Sequence, residues 1–349
     1  MKLGSKDLSN PTNQYVIAEV GVNHEGNLDT AFKLVEEAKS GGADAVKFQT
    51  YKAETIAAPD AKPYWDRTEE TTESQFELFK KYDGFGPDEY RMIYEHCMKI
   101  GIDFSSTPFD LDAVEWLDEM VPFYKIASAD ITNFPLIRAI AKKSKPILLS
   151  TGASTVEEIG SAIRELENFG NDEICIMHCV LNYPTEAENA NLRMIQGLSK
   201  IFPTNVIGYS DHTRPDARML TLTSAVILGA QVIEKHFTLD KFMEGNDHYH
   251  SMDRSDLKIF IENLSALNPR MGSESKHFLN SEVPARENAR RSLHYVRNVT
   301  KGEILKDSDF IALRPATGIP PSEIDKFTGK ALKFDRSKLD RVLVGDVDF

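Results

Sequence analysis

From Tyr15 to about Leu267 the chain repeats one alternation: a short apolar run, then an amphipathic segment of about ten to fifteen residues, then the next run. Eight runs can be drawn: YVIAEVG from Tyr15, AVKFQTY from Ala45, DFSSTPF from Asp103, FYKIAS from Phe123, PILLSTG from Pro146, ICIMHCV from Ile174, NVIGYSD from Asn205 and QVIEKHF from Gln231. Several follow a glycine stop, as in Ser40-Gly41-Gly42-Ala43-Asp44 and Leu228-Gly229-Ala230. Eight strands alternating with eight helices over about 250 residues fit an α/β fold of the (β/α)8 (TIM) barrel type rather than an open doubly wound sheet. A Gly-rich dinucleotide fingerprint is absent after the first strand.

The pattern assigns residues 1–267 to a barrel, 268–288 to a polar, irregular linker and 289–349 to a small, mostly β module. The loop after the second strand, from Lys52 to about Thr72, is long and carries Pro59, Pro63, Tyr64 and Trp65. It reads as a substrate lid or as a solvated insertion. The formal net charge of -13 argues against nucleic acid or an anionic membrane surface as a partner. With no signal-type leader and no run of about 18 apolar residues, the expected location is cytoplasmic. Cys175 and Cys179 share one apparent strand, about 13 Å apart and too far to bridge, so buried thiols are expected there and at Cys97.

A polar or ionisable residue late in a barrel strand costs several kcal/mol, on the order of the burial penalty for a polar group, unless it is paired or used. This chain has many: Glu19, Lys47, Gln49, Lys125, Ser128, His178, Ser210, His212, Glu234 and His236. Singly, each fits a satisfied structural group. As a set they gather at one end of the strands, the active-site end of barrels. His212 and His236 end neighbouring strands and could hold one divalent ion, with manganese, zinc or magnesium as candidates. Glu19 is a third ligand or a water-orienting group. Asp247, His248 and His250 in NDHYHS form a rival cluster or a polar surface loop. Lys47 and Lys125, with Thr107, Ser128 and Ser210, suit an anion clamp, although either lysine could form a Schiff base.

The strings IAEVGVNHEG, GADAVKFQTYK, FSSTPFD, YKIASAD, PILLSTGAS, HCVLNYPT, IGYSDHT and VIEKHFTLD resemble the sialic acid synthase family, whose members condense phosphoenolpyruvate with an N-acetylated amino sugar. RRSLHYV and LRPATGI resemble that family's C-terminal antifreeze-like (SAF) domain, so the resemblance covers nearly the whole chain. The resemblance implies that His212 and His236 bind the metal, here manganese with magnesium, cobalt or zinc as alternatives. It implies that Glu19 is the active-site glutamate and that Lys47, Thr107, Lys125, Ser128 and Ser210 contact phosphoenolpyruvate. Gln49, Phe109, Tyr183 and Asp247 would lie near the sugar, and Glu234 counts among the substrate-facing residues. Asn182 is assigned toward the phosphate, although Leu181 stands where some members have asparagine. Arg314 would reach over the barrel mouth of a second subunit in a domain-swapped homodimer.

The expected reaction is therefore a metal-assisted, aldol-like condensation giving a nine-carbon 2-keto acid and phosphate. AEVGVNH resembles the neuraminate and legionaminate branches more than the pseudaminate branch. N-acetylmannosamine, its 6-phosphate and a 6-deoxy-diacetamido hexose are the candidate acceptors. A Schiff-base lyase or aldolase on the same barrel, and a non-catalytic sugar-binding protein, are the competing readings.

Overall fold

A computed structural model describes the chain except for Asp66, Thr68, Glu69 and Asn246. It divides into two compact units, Met1–Gly272 and Ser273–Phe349.

In the first unit every apolar run of the sequence forms a strand: β1 Tyr15–Gly21, β2 Ala45–Thr50, β3 Asp103–Pro108, β4 Tyr124–Ile126, β5 Ile147–Ser150, β6 Ile174–Cys179, β7 Val206–Asp211 and β8 Val232–His236. They make one eight-stranded sheet in the order β3-β2-β1-β8-β7-β6-β5-β4. All of its ladders are parallel. The end strands β3 and β4 approach without a ladder, and Ser105 Oγ donates to Phe123 O across that seam at 3.5 Å. The cylinder is thus nearly closed.

The helices start and stop where local chemistry directs. In α1 (Leu28–Gly41), Asn27 accepts the Thr30 N–H at the start and Gly42, at φ 100, ends it. α2 (Pro87–Ile100) opens on its proline and ends at Gly101 with φ 75. α3 (Leu111–Leu117), α4 (Phe134–Ala141), α5 (Val156–Asn168), α6 (Arg193–Ile201), α7 (Leu220–Ile227) and α8 (Arg254–Met271) complete the ring. Thr155 and Glu158 form a reciprocal cap on α5.

Two apolar layers result. Inside the cylinder, Tyr15, Ile17, Ala45, Phe123, Leu148, Met177 and Val232 pack together, and Leu3 and Leu8 of the N-terminal segment join them. That segment holds a small hairpin, Lys2–Leu3 against Lys6–Asp7. Outside, the helices bury residues such as Leu34, Ile93, Ile137, Ile163 and Phe260 against the strands' other face.

Two expectations change. The eighth helix runs past Leu267 to Met271, and Val283–Ala289 forms a further helix, α9, inside the stretch read as irregular. Both pieces are short and polar, so they carry little 3.6-residue periodicity, and Pro284 sits in the first turn, where its missing N–H costs nothing. In the second unit, β9 (Ser292–Tyr295) pairs antiparallel with β10 (Phe310–Leu313). Its remaining strand-like contacts are single bridges, such as Val299 with Arg336. Leu293, Tyr295, Phe327, Leu332 and Val342 form its core. Buried Asp346 ties it by accepting the Tyr295 hydroxyl at 2.9 Å and pairing with Arg336.

No helix among the described residues is long and apolar enough to cross a membrane.

Candidate active site

A cavity of about 500 Å³ opens among the carboxyl-terminal ends of the barrel strands. Strand parity and register fill its floor. His236 pairs with Glu19 across β8 and β1, and Glu19 pairs with Lys47 across β1 and β2. Ser210 stands opposite Glu234, and Gln49 opposite Thr107. All of these side chains line the cavity, as do Lys125, Ser128, Phe109, Tyr183, His212 and Asp247.

The floor is an interlocked charge network. Lys47 pairs with Glu19, donates to Thr107 Oγ1 at 2.9 Å and lies 3.9 Å from Glu234. Lys125 meets the same Glu234 oxygen at 2.9 Å, and Ser210 Oγ donates to it at 3.1 Å. Gln49 Nε2 donates to the other carboxylate, Glu19, at 3.0 Å. Two ammonium groups thus balance two carboxylates, but unevenly. Burial would raise the Glu234 carboxyl, yet Lys125 and Lys47 outweigh it and hold the group below the ordinary range. Burial pushes Glu19 up to about 7, with Lys47 pulling it back and Glu234 adding to the rise. The two carboxyls therefore differ in environment: the lysines favour the Glu234 anion, while burial disfavours that of Glu19.

The imidazoles stand at the rim. His212 and His236 have ring centroids 5.5 Å apart, tilted by 55°. His212 Nδ1 donates to Val180 O at 2.7 Å, which leaves Nε2 as its acceptor nitrogen. His236 Nδ1 is buried without a hydrogen-bond partner, and Asp247 Oδ2 lies 3.4 Å from it. His250 packs 4.9 Å from His236 by ring centroid, fully buried. Burial holds the His236 imidazole well below its usual value, reinforced by the neighbouring His250 and His212. A neutral imidazole beside a carboxylate, with a buried nitrogen lacking a hydrogen-bond partner, is the donor set a borderline divalent ion requires, so the residues fit such an ion.

Aromatic side chains form the wall. Tyr183 packs 4.0 Å from His212 by ring centroid, and Tyr64 lies 6.4 Å from Tyr183. Tyr51, Phe79, Phe109 and Trp65 extend the surface. The long loop after β2 thus brings Tyr64 and Trp65 over the cavity, as a lid would; its Asp66, Thr68 and Glu69, and Asn246 of the NDHYHS string, lie outside the described residues.

Two expected residues fall elsewhere. Asn182 is exposed, and Leu181, standing where some members have asparagine, lines the cavity instead. His178 faces away from the cavity, stacked 5.5 Å from Tyr209 with Nε2 at 2.9 Å from Ala190 O. Arg314 lies in the second unit, the module to which the resemblance assigns it, exposed just beyond β10. His248 is a structural tie, with Nδ1 2.7 Å from Thr238 Oγ1. Sequence reasoning missed Cys179, whose Sγ lies 3.9 Å from His212 Nδ1; alternation from Met177 would have found it. It also missed Lys235 and Asp211, buried together at 2.6 Å.

The NeuB family profile matches residues 34–276 and the SAF domain profile residues 290–335. The chain is 40% identical to an N,N'-diacetyllegionaminic acid synthase of Campylobacter jejuni, over 90% of this chain and 94% of that protein. With an enzyme of the same name from Legionella pneumophila the identity is 38%, over 93% and 91%. Among solved structures, the N-acetylneuraminic acid (sialic acid) synthetase of Leptospira borgpetersenii, in complex with citrate, superposes with a TM-score of 0.70 at 31% identity, covering 79% of this chain and 91% of that one. A nearly closed parallel barrel with these charged strand ends, followed by an SAF module, places the chain in the NeuB family of sialic-acid-type synthases.

Proposed function

We propose that this chain joins phosphoenolpyruvate to an N-acetylated amino sugar, giving a nine-carbon 2-keto acid and inorganic phosphate. One observation carries the reading: a single cavity holds two lysines among hydroxyls at its floor, a carboxyl raised to about 7 beside them, and an imidazole cluster at its rim.

Lys47 and Lys125, with Thr107, Ser128 and Ser210, bind the phosphate and carboxylate of phosphoenolpyruvate. Its C3 forms a bond to the sugar's aldehyde carbon, whose oxygen takes a proton. Water adds at C2 and loses its proton to Glu19; the C2–O bond to phosphate then breaks as the 2-keto group forms. As Glu19 becomes neutral, the Lys47 charge it had balanced turns toward the departing phosphate. His212 and His236 would hold a divalent ion, manganese with magnesium, cobalt or zinc as alternatives, which would supply Lewis-acid polarisation of the aldehyde.

The wall supports a 6-deoxy-diacetamido hexose as acceptor. Among the described lining residues the lysines are Lys47 and Lys125, both already paired, and no arginine is present, so a sugar 6-phosphate finds no cation there. Tyr64, Trp65 and Phe109 suit a methyl group and acetamido methyls. The relatives named as diacetyllegionaminic acid synthases point the same way. As part of the same reading, Arg314 completes the partner's barrel mouth in a domain-swapped homodimer.

Phosphate release on mixing protein, phosphoenolpyruvate, a divalent ion and each of the three acceptor sugars tests the proposal. The 6-deoxy-diacetamido sugar should be turned over fastest and a chelator should abolish release. No phosphate from any acceptor would refute the reaction, and turnover surviving chelation would refute the metal.

A further inference from the structure

The wall of the cavity holds a polar group that the proposed chemistry does not use, the hydroxyl of Tyr51. The inward face of β2 continues one residue past the strand's end, so that Lys47, Gln49 and Tyr51, at alternate positions, all line the cavity. The end of β3 runs alongside: Gln49 pairs with Thr107, and the Phe109 N–H donates to Thr50 O at 3.1 Å. Phe109 thereby stands next to Tyr51, ring centroids 5.9 Å apart at 77°. From the lid, Phe79 of the helix Gln75–Tyr82 meets the same ring at 5.1 Å and 62°. Two edge-to-face contacts hold the Tyr51 ring in place.

Tyr51 is only 6% exposed, and its hydroxyl makes no hydrogen bond to a described residue. A buried phenol without an acceptor is unfavourable unless a ligand supplies one. Burial, with Tyr90 and Asp247 nearby, keeps this phenol well above its ordinary pKa, so at neutral pH it is a donor. Two other donors of the same wall are already engaged, Trp65 Nε1 with Glu70 O at 3.1 Å and Gln75 Nε2 with Lys62 O at 2.7 Å.

Position decides which part of a substrate this donor meets. Along the strand direction Tyr51 lies about 7 Å beyond Gln49 and about 13 Å beyond Lys47. With phosphoenolpyruvate at the lysines and the aldehyde at the rim imidazoles, Tyr51 faces the half of the acceptor remote from the bond being made. A donor flanked by two phenyl rings suits an acetamido group, whose carbonyl accepts and whose methyl is apolar. A sugar hydroxyl in its place would leave the rings without an apolar partner.

We propose that Tyr51 is a specificity-determining residue: its hydroxyl donates to the carbonyl of an acetamido group on the far half of the acceptor sugar, with the acetamido methyl lying against Phe79 and Phe109. The inference rests on the reading that this cavity joins phosphoenolpyruvate to an amino sugar.

Steady-state phosphate release by wild type and Tyr51→Phe tests it, with the 6-deoxy-diacetamido sugar and with N-acetylmannosamine, which carries a hydroxyl in that half. For the diacetamido sugar kcat/KM should fall about tenfold, through KM, the loss expected for one hydrogen bond. N-acetylmannosamine turnover and KM for phosphoenolpyruvate should hardly change. An equal fall with both sugars, no change with either, or a wild type that prefers N-acetylmannosamine would overturn the inference and leave the reaction standing. No phosphate release by wild type with any acceptor would overturn both. Because the hydroxyl bonds to no described residue, Tyr51→Phe should melt together with wild type; a lower melting temperature would make the hydroxyl structural and overturn the inference alone.

Discussion

The Lys235 ammonium sits 2.6 Å from an Asp211 carboxylate oxygen, both side chains buried, and each residue immediately precedes a rim histidine. The pair is in register across β7 and β8, and Asp211 also accepts from the Tyr209 hydroxyl and the Thr213 N–H. It therefore locks the two strand tips that present His212 and His236. Replacing Asp211 by Asn leaves an uncompensated buried ammonium and should cost about 3–5 kcal/mol. Denaturant unfolding measures this, and Asp211→Asn combined with Lys235→Met should recover part of the loss.

The Glu19 carboxyl, raised to about 7 chiefly by burial, sets a pH dependence with a definite sign. If it accepts the water proton, kcat/KM falls about tenfold per pH unit below its pKa and levels off above. Stability runs the opposite way. The unfolded carboxyl ionises near its ordinary 4.5 while the folded one resists, so this group's contribution is lost as pH rises from about 4.5 to about 7. Melting temperatures of wild type and Glu19→Gln across that window should converge at the acid end and diverge above, with the variant the more stable.

Lys125 should not form a Schiff base. Burial alone would lower its pKa, but Glu234 at 2.9 Å outweighs that and holds the amine above its ordinary value, hence protonated and non-nucleophilic. Borohydride reduction in the presence of pyruvate is expected to leave the protein's mass unchanged. Covalent labelling at Lys125 or Lys47 would favour a lyase.

Gly21 ends β1 at φ 56, beside a register shift in the β1–β2 ladder. A Cβ there would meet Gln49 Nε2 at 3.3 Å and the Asp247 and Glu19 carboxylate oxygens at 3.5 Å. Gly21→Ala should cost about 1–2 kcal/mol through the left-handed backbone alone. It should also displace Gln49, raising KM for the sugar more than it lowers kcat, as steady-state kinetics can measure.

Leu3 and Leu8 bring the N-terminal segment into the core inside the cylinder, and neither lines the cavity. Leu3→Ala is expected to cost about 2–5 kcal/mol in denaturant unfolding while leaving metal affinity intact.

Much of the site was legible because a strand has a period of two. Once Glu19 and Lys47 are placed inward, parity carries Gln49, Glu234 and His236 with them. Parity fails where both faces of a parallel strand are buried, since polarity then no longer marks the inner face. That is why His178 read as a cavity residue and Cys179 did not. Asn182 was missed by one position: past the end of β6 no period applies, and Leu181 lines the cavity while Asn182 is exposed.

What the sequence by itself determined is the eightfold alternation, the strands' identity and the end at which their charged residues gather, because these depend on periodicities of a few residues. What only the tertiary structure decided is which charges meet. Lys125 and Glu234 lie 109 residues apart and share one contact only after the sheet curls nearly shut. The turn that swings His250 against His236 is likewise fixed by ties from Asn23, on the far side of the chain. Such meetings depend on closure and long-range register, and no local pattern of residues encodes them.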